Sequence, residues 1–198
     1  MIITKGWDLL KLSLSDPTGA LERLRALNLT SGERWMAVAL AAVISTLLAR
    51  GAEAFFPVDI SGPMAMLHDL PIMLAAVQFG AAVLAAGLIA GVGRAFGGTG
   101  NFDDALLMLA WVEAVIVALQ VVQLVVAILF PLSAAILTLV AFGLYVYLLV
   151  RLTTALHGFT NPFLVGIAMV GALFFLGSIL GLLLSIFGLT PPMLEATP

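Results

Sequence analysis

The chain has 198 residues, of which 63% are hydrophobic and 10% charged, and its formal net charge is -3. Soluble domains carry about 45–50% apolar and about 25% charged residues, so this composition excludes an ordinary soluble fold and indicates that lipid is the main solvent. The acidic balance excludes the basic surface that nucleic-acid binding requires, and the absence of cysteine excludes disulfides and thiolate metal sites.

Residues 1–32 are predicted to form a cytoplasmic, amphipathic N-terminal segment. Its first stretch, MIITKGWDLLKLSLSDP, lacks the apolar core and the cleavage site of a secretion signal. A first amphipathic piece contains Trp7, Leu9, Leu10, Leu12 and Leu14. A second one places Ala20, Leu21, Leu24 and Leu27 on one helical face. Two interpretations remain open, a helix lying in the membrane interface or one docked along the edge of a helix bundle.

Five apolar runs meet or approach the roughly 20 residues that a membrane-spanning helix needs. They cover about 33–52, 71–95, 104–130, a stretch from just after Pro131 to about Arg151, and 162–188. Thr30 with Glu33 predicts a capping box before the first run, and Asn161 followed by proline predicts the start of the last. The predicted fold class is an all-α membrane protein, with a five-helix bundle in residues 33–190 and a short tail in 191–198.

The basic residues predict the orientation of this bundle. Seven of the eight fall on one side if five spans alternate, and only Arg50 falls on the other. Because Lys and Arg favour the cytoplasmic side, the N-terminus is predicted to be cytoplasmic and the C-terminus outside.

The stretch GRAFGGTGNFDDAL, residues 93–106, is the one that resembles a nucleotide site. It lacks the lysine of a P-loop, and its glycines are spaced wrongly for a dinucleotide motif. Its glycines are better explained as the end of the second span, with Asn101 or Asp103 capping the third. No cofactor is predicted. No metal site is predicted either, because the two histidines, His68 and His157, fall on opposite sides of the membrane.

Two stretches of the chain carry a family resemblance. They are GGTGNFDDALLMLAW, between the second and third spans, and YLLVRLTTALHGFTNPFLVGIAM, at the end of the fourth. Both are similar to motifs of the Yip (Ypt-interacting) family of membrane proteins, and the matching residues are Gly97, Gly98, Gly100, Phe102 and His157. The resemblance implies a five-span protein with a cytoplasmic N-terminus, whose eukaryotic relatives act in vesicle trafficking and associate with Rab-type GTPases. The lysine-poor composition and short termini indicate a bacterial member, in the inner membrane.

Glu113 is an ionisable residue inside the third span, where charge is costly. Gln120 and Gln123 follow on the same helix, and Gln78 lies in the second span, so the four are predicted to form a polar seam through the bundle. Two readings remain open. The seam is either a path for a proton or small solute, or a set of hydrogen bonds that hold the helices together. His157, at the end of the fourth span, is a candidate partner for Asp103 or Asp104.

Small residues form two smooth helix faces. The spacing Gly87-x-x-x-Gly91 occurs in the second span, and Gly177-x-x-x-Gly181, continued by Ser185, occurs in the fifth. Such faces let helices approach closely, either inside the monomer or against a partner.

The predicted function is that of a non-catalytic membrane scaffold or accessory protein. Its expected partners are membrane lipids and other integral membrane proteins, or a second copy of itself, and not nucleic acid. A small transporter or channel using the Glu113 seam is the alternative. A membrane enzyme is the weakest reading, because no catalytic set of residues is visible.

Overall fold

The structure is a computed structural model that describes residues 2–56, 70–130 and 134–186. Those residues form seven α-helices and no strand. Two short helices come first, α1 (Ile2–Ser15) and α2 (Pro17–Arg25). Five long helices follow, α3 (Ser31–Glu53), α4 (Pro71–Ala95), α5 (Phe102–Leu129), α6 (Ala134–His157) and α7 (Pro162–Ile186). Each of the five is long and apolar enough to cross a membrane, so the protein is an all-α integral membrane protein.

Several helices begin at capping residues that can be recognised in the sequence. The Thr30 side chain accepts a hydrogen bond from the Glu33 backbone, and the Glu33 carboxylate accepts one from the Thr30 backbone, which completes the predicted capping box. Asn101 caps α5 through its side-chain oxygen, at 2.8 Å from the Asp104 nitrogen. Asn161 caps α7 in the same way, with proline at the first helical position.

The end of α6 differs from the prediction, because the helix continues six residues beyond Arg151 to His157. Two threonines in this stretch resemble the end of a helix in the sequence. The Thr154 hydroxyl, however, donates to the Val150 carbonyl at 2.7 Å and is therefore satisfied within the helix. The helix stops at Gly158, whose φ of 69° is a left-handed value that favours glycine.

Helix α5 is at the centre of the bundle and packs against α2, α3, α4 and α6, whereas the main contacts of α7 within the described residues are with α6 and α4. Most of the buried core lies around the first third of α5, where six consecutive residues, Ala105 to Ala110, are all buried. A helix with one side in lipid buries only part of its circumference, so this stretch of α5 is surrounded by protein on all sides. The core therefore sits towards one end of the bundle, where α4 and α6 end and α5 and α7 begin. We call it the loop end.

The two N-terminal helices complete this core. Ala20, Leu21 and Leu24 of α2 are buried in the same cluster as the α5 residues, as predicted from their shared helical face. Leu27 was expected on that face but is exposed, because α2 ends at Arg25 and the chain turns before reaching it. Helices α1 and α2 thus pack directly onto the spanning helices.

The last turn of α1 docks on two spanning helices, α5 and α6. Trp111 Nε1 donates to Ser13 Oγ at 3.0 Å, and the Tyr147 hydroxyl donates to the Leu14 carbonyl at 2.9 Å. Both aromatic residues lie about 14–15 Å from the loop end of their helices. Of the two interpretations of the N-terminal segment, the structure shows the docked helix.

Candidate functional site at the glycine loop

His157 is the centre of the loop end. It occupies the last turn of α6 and its side chain is 3% exposed. Its Nδ1 accepts a hydrogen bond from the Gly100 backbone N–H at 3.1 Å, and its Nε2 lies 3.0 Å from the Ile89 carbonyl. A backbone N–H can only donate and a carbonyl can only accept, so the ring is neutral and carries its proton on Nε2. Both nitrogens are used, and the ring joins α6 to α4 and to the loop.

Three glycines form the walls around this ring. A Cβ atom built on Gly93, on Gly98 or on Gly100 would overlap the His157 side chain. Gly97 has a different role, since its φ of 84° reverses the chain after α4 while the Gly98 N–H donates to the Gly93 carbonyl at 2.9 Å. The glycines are therefore required by a tightly enclosed histidine, which explains their density without a phosphate ligand.

Two aromatic rings complete the cluster. Phe102, the first residue of α5, has its ring centroid 5.9 Å from that of Trp35 on α3. Phe159 stacks on His157 at a centroid distance of 5.3 Å. The structure thus places all five resemblance residues, Gly97, Gly98, Gly100, Phe102 and His157, in one region of the loop end.

Asp104 of α5 forms a second set of contacts between helices at the loop end. Its carboxylate lies 2.8 Å from Arg25 Nη2 on α2 and 3.3 Å from Arg34 Nη1 on α3. Asp103 accepts a hydrogen bond from the Ser31 hydroxyl at 3.3 Å. The sequence-based candidate pairing of His157 with Asp103 or Asp104 is therefore wrong, because both carboxylates bind the N-terminal half of the chain and the histidine binds backbone.

The intramembrane polar residues bond to different helices. Gln78 accepts from Thr46 of α3 at 3.4 Å, and Gln120 donates to Ser45 of α3 at 2.9 Å. Gln123 instead donates to Thr138 of α6 at 3.3 Å. Each of these three contacts joins two spanning helices.

Glu113 faces the same neighbour as Gln123. Its carboxyl group interacts electrostatically with Tyr145 of α6. The four predicted seam residues are thus divided between the α3 side of the bundle, with Gln78 and Gln120, and the α6 side, with Glu113 and Gln123. Among the described residues no hydrogen bond joins one of the four to another.

The helix-packing glycines face outwards. A Cβ atom built on Gly87, Gly91 or Gly177 would have no atom within 4 Å, so none of the three lies at a close helix–helix contact in the described part of the chain. Gly181 and Ser185 belong to α7, but their side-chain surroundings lie outside the described residues. The smooth face of α4 and the Gly177 position of α7 are therefore available to lipid or to a partner.

Sequence reasoning missed several residues at this site. Gly93 lies four residues before the recognised motif, and only its contact with His157 shows that it belongs to the same cluster. The pairing of Asp104 with Arg25 and Arg34 spans 79 and 70 residues of sequence. An acidic residue in the first turn of a helix is explained locally by the helix dipole, so the sequence carries no sign of the long-range pairs.

The model of the Yip1 domain family matches residues 11–184, which is nearly the whole chain. The chain belongs to the Yip1 domain family. Comparisons with curated proteins and with solved structures found no match. Yip1 family proteins are generally non-enzymatic membrane proteins, and the family includes proteins that interact with Rab GTPases. The match contains the glycine loop, His157, the last five residues of α1 and all of α2, so the contacts of Ser13 and Leu14 with the spanning helices lie within the family domain.

Proposed function

We propose that this Yip1 family protein is a non-catalytic scaffold or accessory protein that associates laterally with other integral membrane proteins or with a second copy of itself. The observation that carries the proposal is the open glycine face of α4. The proposed setting is a bacterial inner membrane, with the loop end and the N-terminus in the cytoplasm. The distribution of Lys and Arg supports that orientation.

The open face of α4 contains Gly80, Gly87 and Gly91. They are seven and four residues apart, close to two turns and one turn of helix, and therefore lie on one side. All three are exposed, and a Cβ atom at any of them would meet nothing within 4 Å. Glycine faces of this kind let two helix backbones approach closely, so that van der Waals contact drives association within lipid.

The remaining features support association over chemistry. The His157 ring uses both nitrogens in structural hydrogen bonds. The three glutamines are each bonded across a helix interface, which is the arrangement expected of residues that hold helices together. A rigid bundle with an unoccupied smooth face is suited to bind another membrane helix.

The test is quantitative co-purification from native membranes after mild solubilisation. The variant Gly87→Leu with Gly91→Leu places two bulky side chains on the open face, and it is expected to lose its specific membrane partner. Gly143→Leu with Gly171→Leu is the matched control, since both glycines are exposed and have open surroundings on α6 and α7. The control is expected to retain the partner. Equal recovery of the same partner with both variants would contradict the role of the α4 face.

Transport of a proton or small solute is the second candidate. Glu113 favours it, because this carboxyl lies inside a spanning helix, where an ionisable group is costly and is often functional. If transport is the function, proteoliposomes should show a flux that Glu113→Gln abolishes and that Leu139→Ala, on the exposed face of α6 outside the seam, leaves intact. The scaffold proposal predicts no flux above that of protein-free liposomes for any of the three proteins.

A further inference from the structure

A groove of about 610 Å³ separates α7 from α4 and α6 at the loop end. One wall is the face of α4 between Ala85 and Phe96, and the opposite wall is α7 from Leu164 to Leu173. Leu164, Ile167 and Leu173 are also largely exposed, so the groove opens sideways into the surroundings of the helices. Its volume is in the range of protein sites that bind small ligands.

The groove has the depth of a single membrane leaflet. From Asn161 to Leu173 it follows twelve residues, or about 18 Å of helix, and from Phe96 to Ala85 it follows about 17 Å. One leaflet measures about 15 Å in its hydrocarbon part and about 20–22 Å with the headgroups. A ligand that fills the groove therefore reaches from the polar surface of one leaflet towards its centre.

The polarity of the lining changes along this depth. Thr153, Thr160 and Asn161 lie at the loop end, whereas the deep part is lined by apolar side chains apart from Tyr145. Apolar residues in this deep part include Leu88, Ile167, Ala168 and Ala172. This gradient matches a molecule with a polar head and a hydrocarbon tail, and it matches neither a water-soluble ligand nor a wholly apolar one.

Thr153 gives independent evidence for a ligand. It is 4% exposed, lines the groove, and its hydroxyl has no hydrogen-bond partner in the described chain. Its neighbour Thr154 donates to the carbonyl four residues earlier, which is the usual solution for a threonine in a helix. A buried hydroxyl without a partner is costly, so one is expected in the complete system.

We propose that this groove binds one glycerolipid of the loop-end leaflet. An acyl chain lies between α4 and α7. The Thr153 hydroxyl, which is buried in the groove wall, turns towards the groove and donates a hydrogen bond to an ester or phosphate oxygen. This site is on a different face of α4 from Gly87 and Gly91, since the groove residues Ala85, Leu88 and Val92 lie about 80–140° around the helix from the glycine face. The lipid site and the proposed partner surface can therefore fail separately.

The test uses the full chain in phosphatidylcholine nanodiscs doped with a phosphatidylcholine that carries a photoactivatable diazirine on one acyl chain. After illumination, the adducts are mapped by mass spectrometry. They are expected to concentrate on the groove walls of α4, α6 and α7. Adducts distributed equally over outward residues such as Leu139 would show annular lipid only and would overturn the proposal.

Variants make the test specific. Ala168→Phe fills the groove and is expected to reduce groove adducts several-fold, whereas Ala81→Phe, exposed on α4 outside the groove, is the control and should not. Equal labelling of the two variants would overturn the site. Protection of the groove from labelling whenever two copies share one nanodisc would assign the groove to a second copy and would equally overturn the proposal.

Thr153→Val tests the hydroxyl, because it keeps the shape of the side chain and removes the donor. Loss of one neutral hydrogen bond is expected to weaken lipid labelling about three- to tenfold. If labelling is unchanged while thermal stability rises, the hydroxyl has no lipid partner and its assigned role is wrong. This readout does not depend on the folding of the Ala168→Phe variant.

Discussion

Replacing Gly93 with alanine is expected to destabilise the protein, whereas the same replacement two residues earlier, at Gly91, is expected to be neutral or stabilising. Both glycines lie in the last turns of α4. A Cβ atom at Gly93 would overlap the His157 ring, and one at Gly91 would meet nothing within 4 Å. The two variants therefore share their chemistry and their helix and differ in contact with the histidine.

The size of the effect follows from what the ring loses when it moves. The Gly100 N–H is buried and would lose its acceptor, which costs about 1–3 kcal/mol, and the hydrogen bond to Ile89 contributes about 1 kcal/mol. Alanine recovers about 0.5–1 kcal/mol relative to glycine inside a helix. The free energy of unfolding is therefore expected to fall by about 1–3 kcal/mol in Gly93→Ala and to rise by up to about 1 kcal/mol in Gly91→Ala.

Equilibrium unfolding of both variants in mixed micelles, followed by tryptophan fluorescence and circular dichroism, measures this difference. Gly98→Ala should behave like Gly93→Ala, since its Cβ atom overlaps the opposite side of the ring. If Gly93→Ala and Gly91→Ala are equally stable, the histidine is not enclosed as described, and the explanation of the glycine motif is refuted.

Three further variants test other joints in the same unfolding assay. Asp104→Asn is expected to lower the free energy of unfolding by about 1–2 kcal/mol, and by less at high salt, because it weakens two partly exposed pairs with arginine. Glu22→Gln, exposed on α2, should change this free energy little, and equal effects of the two variants would contradict the role of Asp104. Trp111→Phe is expected to lower the free energy of unfolding by about 1 kcal/mol and to speed proteolysis within α1. Unchanged proteolysis would contradict the docking of that helix. Gln120→Leu is expected to lower the free energy of unfolding by about 0.6 kcal/mol, and by up to about 1.7 kcal/mol. A clear stabilisation would show that the hydrogen bond from Gln120 to α3 contributes nothing.

Local sequence signals were sufficient for most of the fold. The apolar runs are long enough to be read directly as spanning helices, and the capping residues Thr30, Asn101 and Asn161 act on amides within three residues of themselves. The end of α6 was predicted at about Arg151, six residues too early. The structure continues the helix to His157, with the Thr154 hydroxyl bonded back to the Val150 carbonyl.

The candidate site was less predictable, because its contacts join distant parts of the chain. The motif resemblance identified Gly98, Gly100 and His157 as motif residues. It did not show that the His157 ring fills the space left by the missing glycine side chains. Helical periodicity placed Gln120 and Gln123 on one face of α5. Their partners are on two different helices, Ser45 of α3 and Thr138 of α6, which depends on how the bundle is assembled.

The proposed function depends most directly on whether the glycine face of α4 meets another protein in the membrane. Because the chain has no cysteine, single cysteines can be introduced without background. Leu84, which lies on that face and is 52% exposed, and Leu139, which lies on α6 and is 72% exposed, are suitable positions. In native membranes treated with a maleimide that carries a photoreactive benzophenone and then illuminated, Leu84→Cys is expected to give one discrete cross-linked product and Leu139→Cys none. No product from Leu84→Cys, or the same products from both, would contradict lateral association through α4.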